Sequence, residues 1–164
     1  MNITLSIASL DEKSILRHLL ELYSYEFSEF DHSDVDNHGL YGYNYLDNYW
    51  TEAGRYPFMI RIDNNLAGFV LVRTITEPDN NQYFSIAEFF IMKKYRKSGA
   101  GRNVAFQIFD RFHGSWQVAE IEENKPSQAF WRKIISEYTN GNFTEIFRGD
   151  EQWHGPIQSF NNAK

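Results

Sequence analysis

The residues best suited to chemistry lie between positions 86 and 102. An apolar run that contains Glu88 leads into a basic, glycine-containing turn, Lys93-Lys94-Tyr95-Arg96-Lys97-Ser98-Gly99-Ala100-Gly101-Arg102. Every charged side chain between Glu88 and Asp110 is positive, although the chain carries a formal net charge of -6. A glycine turn that opens a helix presents unpaired backbone N–H groups, and neighbouring cations add charge-assisted hydrogen bonds. The pattern therefore predicts a phosphate-binding turn.

The spacing of the glycines does not match the two common nucleotide-binding patterns. A P-loop needs Gly-x-x-x-x-Gly-Lys followed by Ser or Thr, which does not occur here, and the dinucleotide pattern Gly-x-Gly-x-x-Gly fails because Val104 holds its third position. The alternative is a glycine turn that serves packing alone. Cations at a helix N-terminus oppose the helix macrodipole unless an anion binds, which favours the binding interpretation.

Composition excludes several classes of function. A chain of 164 residues with 42% hydrophobic content fits one domain, residues 1–164. The absence of cysteine excludes thiol nucleophiles and cysteine-bound metals. An isoelectric point near 5.3 opposes binding to nucleic acid, and no apolar run approaches the roughly 20 residues that span a membrane. We expect a cytoplasmic protein, and the sequence does not choose between a monomer and a homodimer.

The hydrophobic pattern predicts an α/β (α+β) fold. A capping box at Ser9 and Glu12 begins a helix that extends to about Glu29, and the strand, turn and helix around Gly99 predict a βαβ unit with parallel strands. The remaining predicted elements are a first strand at 3–7, a short helix at 45–53, a hairpin of strands 58–62 and 66–73, a strand at 83–92, a helix after Gly101, a strand at 116–121, a helix from Pro126, and strands at 143–148 and 157–160.

Two motifs carry a resemblance to a known family. Arg96, Gly99 and Gly101 match the pattern Arg/Gln-x-x-Gly-x-Gly/Ala, and the segment 124–131 is similar to Asn-x-x-Ala-x-x-Phe-Tyr with slightly altered spacing. The chain thus resembles the GNAT superfamily of acetyl-CoA-dependent N-acetyltransferases from about residue 58 to 136, in particular a group of small predicted acetyltransferases. The resemblance implies a mixed, strongly bent central sheet with splayed parallel strands, flanked by helices.

The resemblance also implies acetyl-CoA as co-substrate and a set of residues that bind it. The pantetheine arm would lie beside the end of one splayed strand, and the pyrophosphate on the amides of residues 97–102. The implied cofactor-binding residues are Phe90, Ile91, Met92, Arg96, Lys97, Ser98, Gly99, Ala100, Gly101, Arg102, Asn124, Ser127, Gln128 and Phe130. For Asn124 an ordinary helix N-cap is an equal alternative, because Pro126 follows it closely.

Catalytic roles are less sharply indicated. A backbone N–H near Ile91 is the expected donor to the oxyanion, and Glu88 is the candidate general base, because burial in the apolar run would raise its pKa. Strand alternation leaves open whether Glu88 faces solvent instead. Trp131 stands where many members of the family have a tyrosine that protonates the departing thiolate. The alternatives are Tyr138, one of the tyrosines at 41, 43 and 45, water, or no acid at all, because a thiolate leaves readily near neutral pH. No metal is expected.

The acceptor side of the chain is acidic. Residues 18–54 contain eight acids and no lysine or arginine, interleaved with tyrosines, which favours a cationic small-molecule or peptide amine, although the acids also suit ordinary solvated faces. The segment 31–38 resembles a metal loop, but its spacing fits neither an EF-hand nor a zinc helix. Two rival functions remain: a CoA-binding module without turnover, and an acidic protein-interaction domain.

Overall fold

The computed structural model describes residues 1–164 and contains one mixed sheet of seven strands. The spatial order of the strands is β1-β2-β3-β4-β5-β7-β6. Their bounds are β1 Ile3–Ile7, β2 Arg55–Ile62, β3 Asn65–Thr76, β4 Gln82–Ile91, β5 Ser115–Ala119, β6 Thr144–Gly149 and β7 His154–Asn161. The mixed sheet flanked by helices confirms the predicted fold class.

Four α-helices accompany the sheet: α1 Lys13–Asp31, α2 Asn48–Thr51, α3 Ala100–Arg111 and α4 Lys125–Thr139. The predicted capping box is present, since the Ser9 N–H donates to Glu12, but a short 3-10 turn at Leu10–Glu12 precedes α1. α2 is shorter than the predicted 45–53. None of the helices has an apolar stretch of the length that a bilayer crossing requires.

The predicted hairpin is β2 and β3, joined at Asp63 and Asn64, both of which adopt positive φ angles. Asparagine and aspartate tolerate this conformation better than other non-glycine residues, which is why the sequence marks the turn. β3 then pairs antiparallel with β4 over most of its length. Both hairpin strands are longer than predicted, because polar residues at their ends take part in the ladder.

The single parallel pairing of the sheet, between β4 and β5, is very short. Pairing is confined to Phe84 with Trp116 and Ser85 with Gln117, after which the two strands separate. β5 keeps its other partner, β7, along its whole length. The predicted splay is therefore present, and residues 86–91 of β4 have no strand on their β5 side.

Side chains on the two faces of the sheet form two separate cores. α3 and α4 cover one face, where Val104, Ala105, Ile108 and Phe109 of α3 are fully buried and Phe112 is partly buried. α1 and α2 cover the other face around Leu16, Leu20, Phe69 and Phe90. The helical spacing of Leu16, Leu19 and Leu22 predicts that all three are buried, but Leu22 is 49% exposed.

Candidate active site

The separation of β4 and β5 opens a cavity of about 490 Å³. Its walls come from α1, the loop after α1, both separated strands and the first turns of α4. The lining residues are Tyr23, Ser24, Phe27, Asp31, Ser33, Asp34, Tyr41, Gly42, Tyr43, Ile86, Ala87, Glu88, Phe89, Ala119, Glu120, Ile121, Asn124, Ser127, Trp131 and Trp153. No lysine or arginine is among them, so the cavity carries only negative formal charge.

Glu88 projects from β4 into the side of the cavity that α1 covers. The Tyr23 hydroxyl donates a short hydrogen bond to one carboxylate oxygen, and the Tyr43 hydroxyl lies 3.3 Å from the other. Burial raises the pKa of Glu88 to about 7, and the two tyrosine hydrogen bonds limit that rise because they stabilise the ionised form. The open question of its strand face is resolved: Glu88 is a partly buried group that changes charge near neutral pH.

A carboxylate on α1 holds the loop that brings Tyr43 to Glu88. The two oxygens of Glu21 accept the backbone N–H groups of Tyr41 and Gly42, each at 2.8 Å. This arrangement satisfies two amides in a segment without regular structure. Glu21 therefore acts as an anchor for the loop rather than as part of a solvated acidic face.

The backbone of β4 is irregular beside Glu88. Opposite β3, Leu71 pairs with Glu88 and Val72 with Ile86, so Ala87 is the extra residue of a β-bulge. The Met92 N–H donates to the Ala67 carbonyl, and N–H groups on an antiparallel strand face alternate sides. The N–H groups of Phe89 and Ile91 consequently face the open side of β4.

The turn before α3 has a set of backbone N–H groups without acceptors. None of the amides of residues 97–102 donates to another group of the chain, whereas the next amide, that of Asn103, donates to Gly99. Lys97 and Gly99 both have positive φ angles, 60° and 85°, which turn the chain into the helix. These six residues follow β4 in the chain, and none of them lines the cavity.

Two of the predicted phosphate-binding cations already have partners in the chain. Arg96 donates to Glu26 and to the carbonyl of Ile91, both at 2.6 Å, and Arg102 pairs with Glu137 at 2.6 Å. Lys97 is exposed and has no carboxylate partner. Carboxylates from α1 and α4 therefore offset the charge of the two arginines.

The structure gives packing roles to several of the predicted cofactor residues. A Cβ on Gly101 would lie 3.1 Å from the Phe130 ring, so glycine there allows α3 to approach α4. Gln128 is buried and donates to the carbonyls of Ile121 and Glu122. Asn124 is the N-cap of α4, since its side chain accepts the Ser127 N–H at 3.1 Å. Asn124 and Ser127 also line the cavity, so the two interpretations of Asn124 are compatible.

The remaining predicted residues lie in the turn and at the end of β4. Ser98 donates its hydroxyl to the Tyr95 carbonyl and so shapes the turn, while Ala100 is buried at the start of α3. Phe90 is buried on the α1 side, and Met92 closes the β3–β4 ladder. Trp131, at the position where the family resemblance calls for tyrosine, lines the cavity and packs edge-on against Phe89.

Most of the acids between residues 18 and 54 serve the fold. Glu26, Asp47 and Glu52 pair with Arg96, Lys13 and Arg55, which lie outside the segment. Asp31 and Asp34 line the cavity. Asp31 and Asp36 also accept hydrogen bonds from their own loop, and no group of three metal-ligating side chains converges there.

Sequence reasoning missed one ionisable residue of the cavity, Glu120. It follows β5 directly and is only 4% exposed. The period-two alternation Trp116, Val118, Glu120 was the available signal, because the first two residues are buried on the same face of the strand.

Comparisons with known proteins agree with this geometry. The profile of the Acetyltransferase (GNAT) family matches residues 16–135. An acetyltransferase from Thermus thermophilus has a similar fold, with a TM-score of 0.70 and 12% identity over 98% of this chain and 97% of that one. A GNAT-family acetyltransferase from Staphylococcus aureus has a TM-score of 0.63 and 17% sequence identity, over 98% of this chain and 99% of that one.

A third similar structure is the PaiA N-acetyltransferase from Thermoplasma acidophilum in complex with coenzyme A. Its TM-score is 0.64, with 11% identity over 98% of this chain and 99% of that one. No curated protein sequence matches significantly. The family profile covers most of the chain, and the fold and the splayed strands agree with it. The protein belongs to the GNAT family of acetyltransferases.

Proposed function

We propose that this protein transfers an acetyl group from acetyl-CoA to a primary amine on a cationic small molecule or peptide, with residues 1–164 acting as one domain. The observation that carries the proposal is the cavity between β4 and β5, which combines Glu88 with acidic and aromatic walls. An amine that carries positive charge is attracted to such a site by charge and by cation–π contact.

The residues beyond β4 fit the phosphates of CoA. The six unpartnered amides of residues 97–102 lie at the positive end of the α3 macrodipole, which is a suitable environment for a pyrophosphate. Lys97 is available to add charge. The end of β4, residues 90–92, would lie beside the pantetheine arm. When bound, acetyl-CoA supplies the acetyl group as an activated thioester. The CoA complex of the similar Thermoplasma acidophilum protein supports this assignment.

Glu88 is the proposed general base. A lysine-type amine has a pKa of about 10.4, so losing its proton at pH 7 costs about 4.6 kcal/mol. A carboxylate whose pKa is about 7 can take this proton and release it again near neutral pH. The hydroxyls of Tyr23 and Tyr43 keep the carboxylate oriented.

A backbone N–H of β4 is the proposed donor to the oxyanion. Ile91 was the expected donor, and Phe89 joins it as a candidate because both N–H groups face the open side of the strand. Phe89 lies on the cavity wall directly after Glu88. A fixed N–H aimed at the developing negative charge would lower the barrier to direct transfer without a covalent enzyme intermediate.

The decisive experiment follows the release of free thiol. Purified protein is mixed with acetyl-CoA and a panel of polyamines, aminoglycosides, amino acids and peptides, with a no-acceptor control for hydrolysis. Acceptor-dependent thiol release supports the proposal. Trp131 favours the rival of a CoA-binding module without turnover, which predicts CoA binding by calorimetry and no thiol release. An acidic protein-interaction domain predicts no CoA binding at all.

A further inference from the structure

Glu120 is a buried acid on the wall of the cavity opposite β4. It lies at the point where β5 ends, next to Ala119 and Ile121, which also line the cavity. Glu88 occupies the other separated strand. The lining therefore includes one glutamate from each side of the gap, and the base proposed above accounts for only one of them.

The hydrogen-bonded side chains of Glu120 and Gln158 have more buried acceptor atoms than donors. Its Oε1 accepts the Gln158 Nε2–H at 3.0 Å, but its Oε2 is buried without a donor. The Oε1 of Gln158 is also buried without a donor. Both unpartnered atoms are acceptors, and they belong to two side chains that are already hydrogen-bonded to each other. Protonation of the Glu120 Oε2 turns one of these two acceptors into a donor.

Glu120 has charged neighbours of both signs, and burial is the main effect on its charge. From β6, Glu145 shares the same Gln158 Nε2 at 2.7 Å, which brings a second carboxylate close by. From α4, Arg132 binds both oxygens of Glu145 and so has its guanidinium committed there. β7 contributes Gln158, which carries no charge. Burial raises the pKa of Glu120 to about 8, and Glu145 adds to the rise, while the Gln158 hydrogen bond and the charge of Arg132 limit it.

The tyrosine hydroxyls of the cavity are occupied. Those of Tyr23 and Tyr43 donate to Glu88, and that of Tyr41 donates to Ser28. Trp131 has an indole N–H, which is not an acid in this pH range. None of these four side chains is therefore free to give a proton to the leaving sulfur.

We propose, resting on the proposed acetyl transfer, that Glu120 is held as a neutral carboxylic acid and gives its proton to the sulfur of the departing CoA. A C–N bond forms at the amine and the thioester C–S bond breaks. Glu88 takes the proton that the amine loses, and Glu120 supplies the proton that sulfur gains. Solvent then restores the proton to Glu120 and removes the one on Glu88, so the step is balanced.

The first test needs neither cofactor nor activity. A carboxyl group whose folded pKa is raised stabilises the fold fully below its unfolded pKa, near 4.5, and loses that contribution as pH rises to about 8. Urea unfolding of wild type and Glu120→Gln across this range should show wild type losing stability relative to the variant. The matched control Glu123→Gln, on an exposed neighbour, should follow wild type. If the unfolding free energies of wild type and Glu120→Gln change in parallel with pH, the proposal that Glu120 is a neutral acid is overturned.

Carboxyl carbon NMR of ¹³C-glutamate-labelled wild type keeps the test decisive if the variant does not fold. We expect glutamate signals that titrate well above the ordinary range, one of them near pH 8. If Glu120→Gln folds, the signal that titrates near pH 8 should be missing from its spectrum and should be retained in that of Glu88→Gln. Absence of any glutamate titrating near pH 8 would overturn the proposal.

The second test addresses the transfer step. Glu120→Gln should lower kcat about 100-fold, the lower end for general acid catalysis, with unchanged CoA affinity. The fall in wild-type rate above about pH 8 should disappear in the variant. An acetyl thioester of an acidic aryl thiol, which leaves without a proton, should restore the rate of Glu120→Gln but not of Glu88→Gln. Wild-type kcat in Glu120→Gln would reject this role alone, whereas no thiol release by wild type would reject the acetyl transfer itself.

Discussion

The hydroxyl of Tyr43 lies 3.3 Å from a carboxylate oxygen of Glu88, although the two residues belong to a loop and a strand that are far apart in the chain. Tyr23 approaches the other oxygen from α1. Two elements on one face of the sheet thus converge on a single carboxyl group. Its pKa is set by burial, which raises it, and by these hydroxyls, which hold it down.

Removal of the Glu88 charge should abolish most activity without loss of cofactor binding. Glu88→Gln keeps the shape of the side chain but cannot accept a proton, so we expect kcat to fall by about 10²- to 10⁴-fold. CoA affinity, measured by calorimetry, should not change. Glu77→Gln, in the exposed turn between β3 and β4, is the control and should behave as wild type. Retention of full activity in Glu88→Gln would exclude it as the base.

The rate of wild type should rise with pH through about 7, because Glu88 acts as a base only when ionised. Tyr43→Phe removes a hydrogen bond that lowers this pKa, so the rising limb of the kcat profile should move to higher pH. Tyr25→Phe, which alters an exposed hydroxyl on α1, should leave the profile in place. A shift to lower pH in Tyr43→Phe would contradict the assigned hydrogen bond.

The anchoring role of Glu21 predicts a local change in mobility. Glu21→Ala removes the acceptor of two backbone N–H groups, so the amides of Tyr41 and Gly42 should exchange hydrogen faster. The rising limb of the pH profile should also move in the same direction as in Tyr43→Phe. Glu29→Ala, on the exposed side of the same helix, is the comparison variant. Unchanged exchange at residues 41 and 42 would show that the loop is held by other contacts.

At Gly99, the backbone conformation that the fold requires can be tested separately from the space that the ligand requires. Its φ of 85° favours glycine, yet a Cβ there would meet no atom of the chain within 4 Å. Asparagine tolerates this conformation, so Gly99→Val should lose about 1–2 kcal/mol of unfolding free energy relative to Gly99→Asn.

Both Gly99 variants place a side chain where we propose the pyrophosphate, so both should bind CoA more weakly than wild type. Gly101→Ala, whose Cβ meets Phe130 rather than open space, serves as the packing comparison. Unchanged CoA affinity in both Gly99 variants would contradict the proposed position of the phosphates.

The features that were predictable from the sequence are those with a local cause. The capping box at Ser9, the hairpin turn at Asp63 and Asn64, and the glycine turn before α3 each depend on residues a few positions apart. Helix and strand periodicity likewise gave the order of the elements. The boundaries shifted where ladder partners extended a strand, as at the start of β2.

The features that were not predictable depend on partners distant in sequence. No local pattern shows that Arg96 pairs with Glu26, that Arg102 pairs with Glu137, or that Glu120 shares Gln158 with a second carboxylate. The identity of a charged residue is visible in the sequence, but whether its charge is already neutralised is decided by tertiary packing. The positive charge that the glycine turn can offer an anion is smaller than its sequence indicates for this reason.

Because only two residue pairs join β4 to β5, the sheet consists of two blocks, one of four strands and one of three, with a narrow seam between them. A molecule whose amide groups lie along that seam would bridge both blocks much as a missing strand would. Its binding should therefore raise the melting temperature and slow hydrogen exchange on β4 and β5 together, so that the two blocks open as a single cooperative unit.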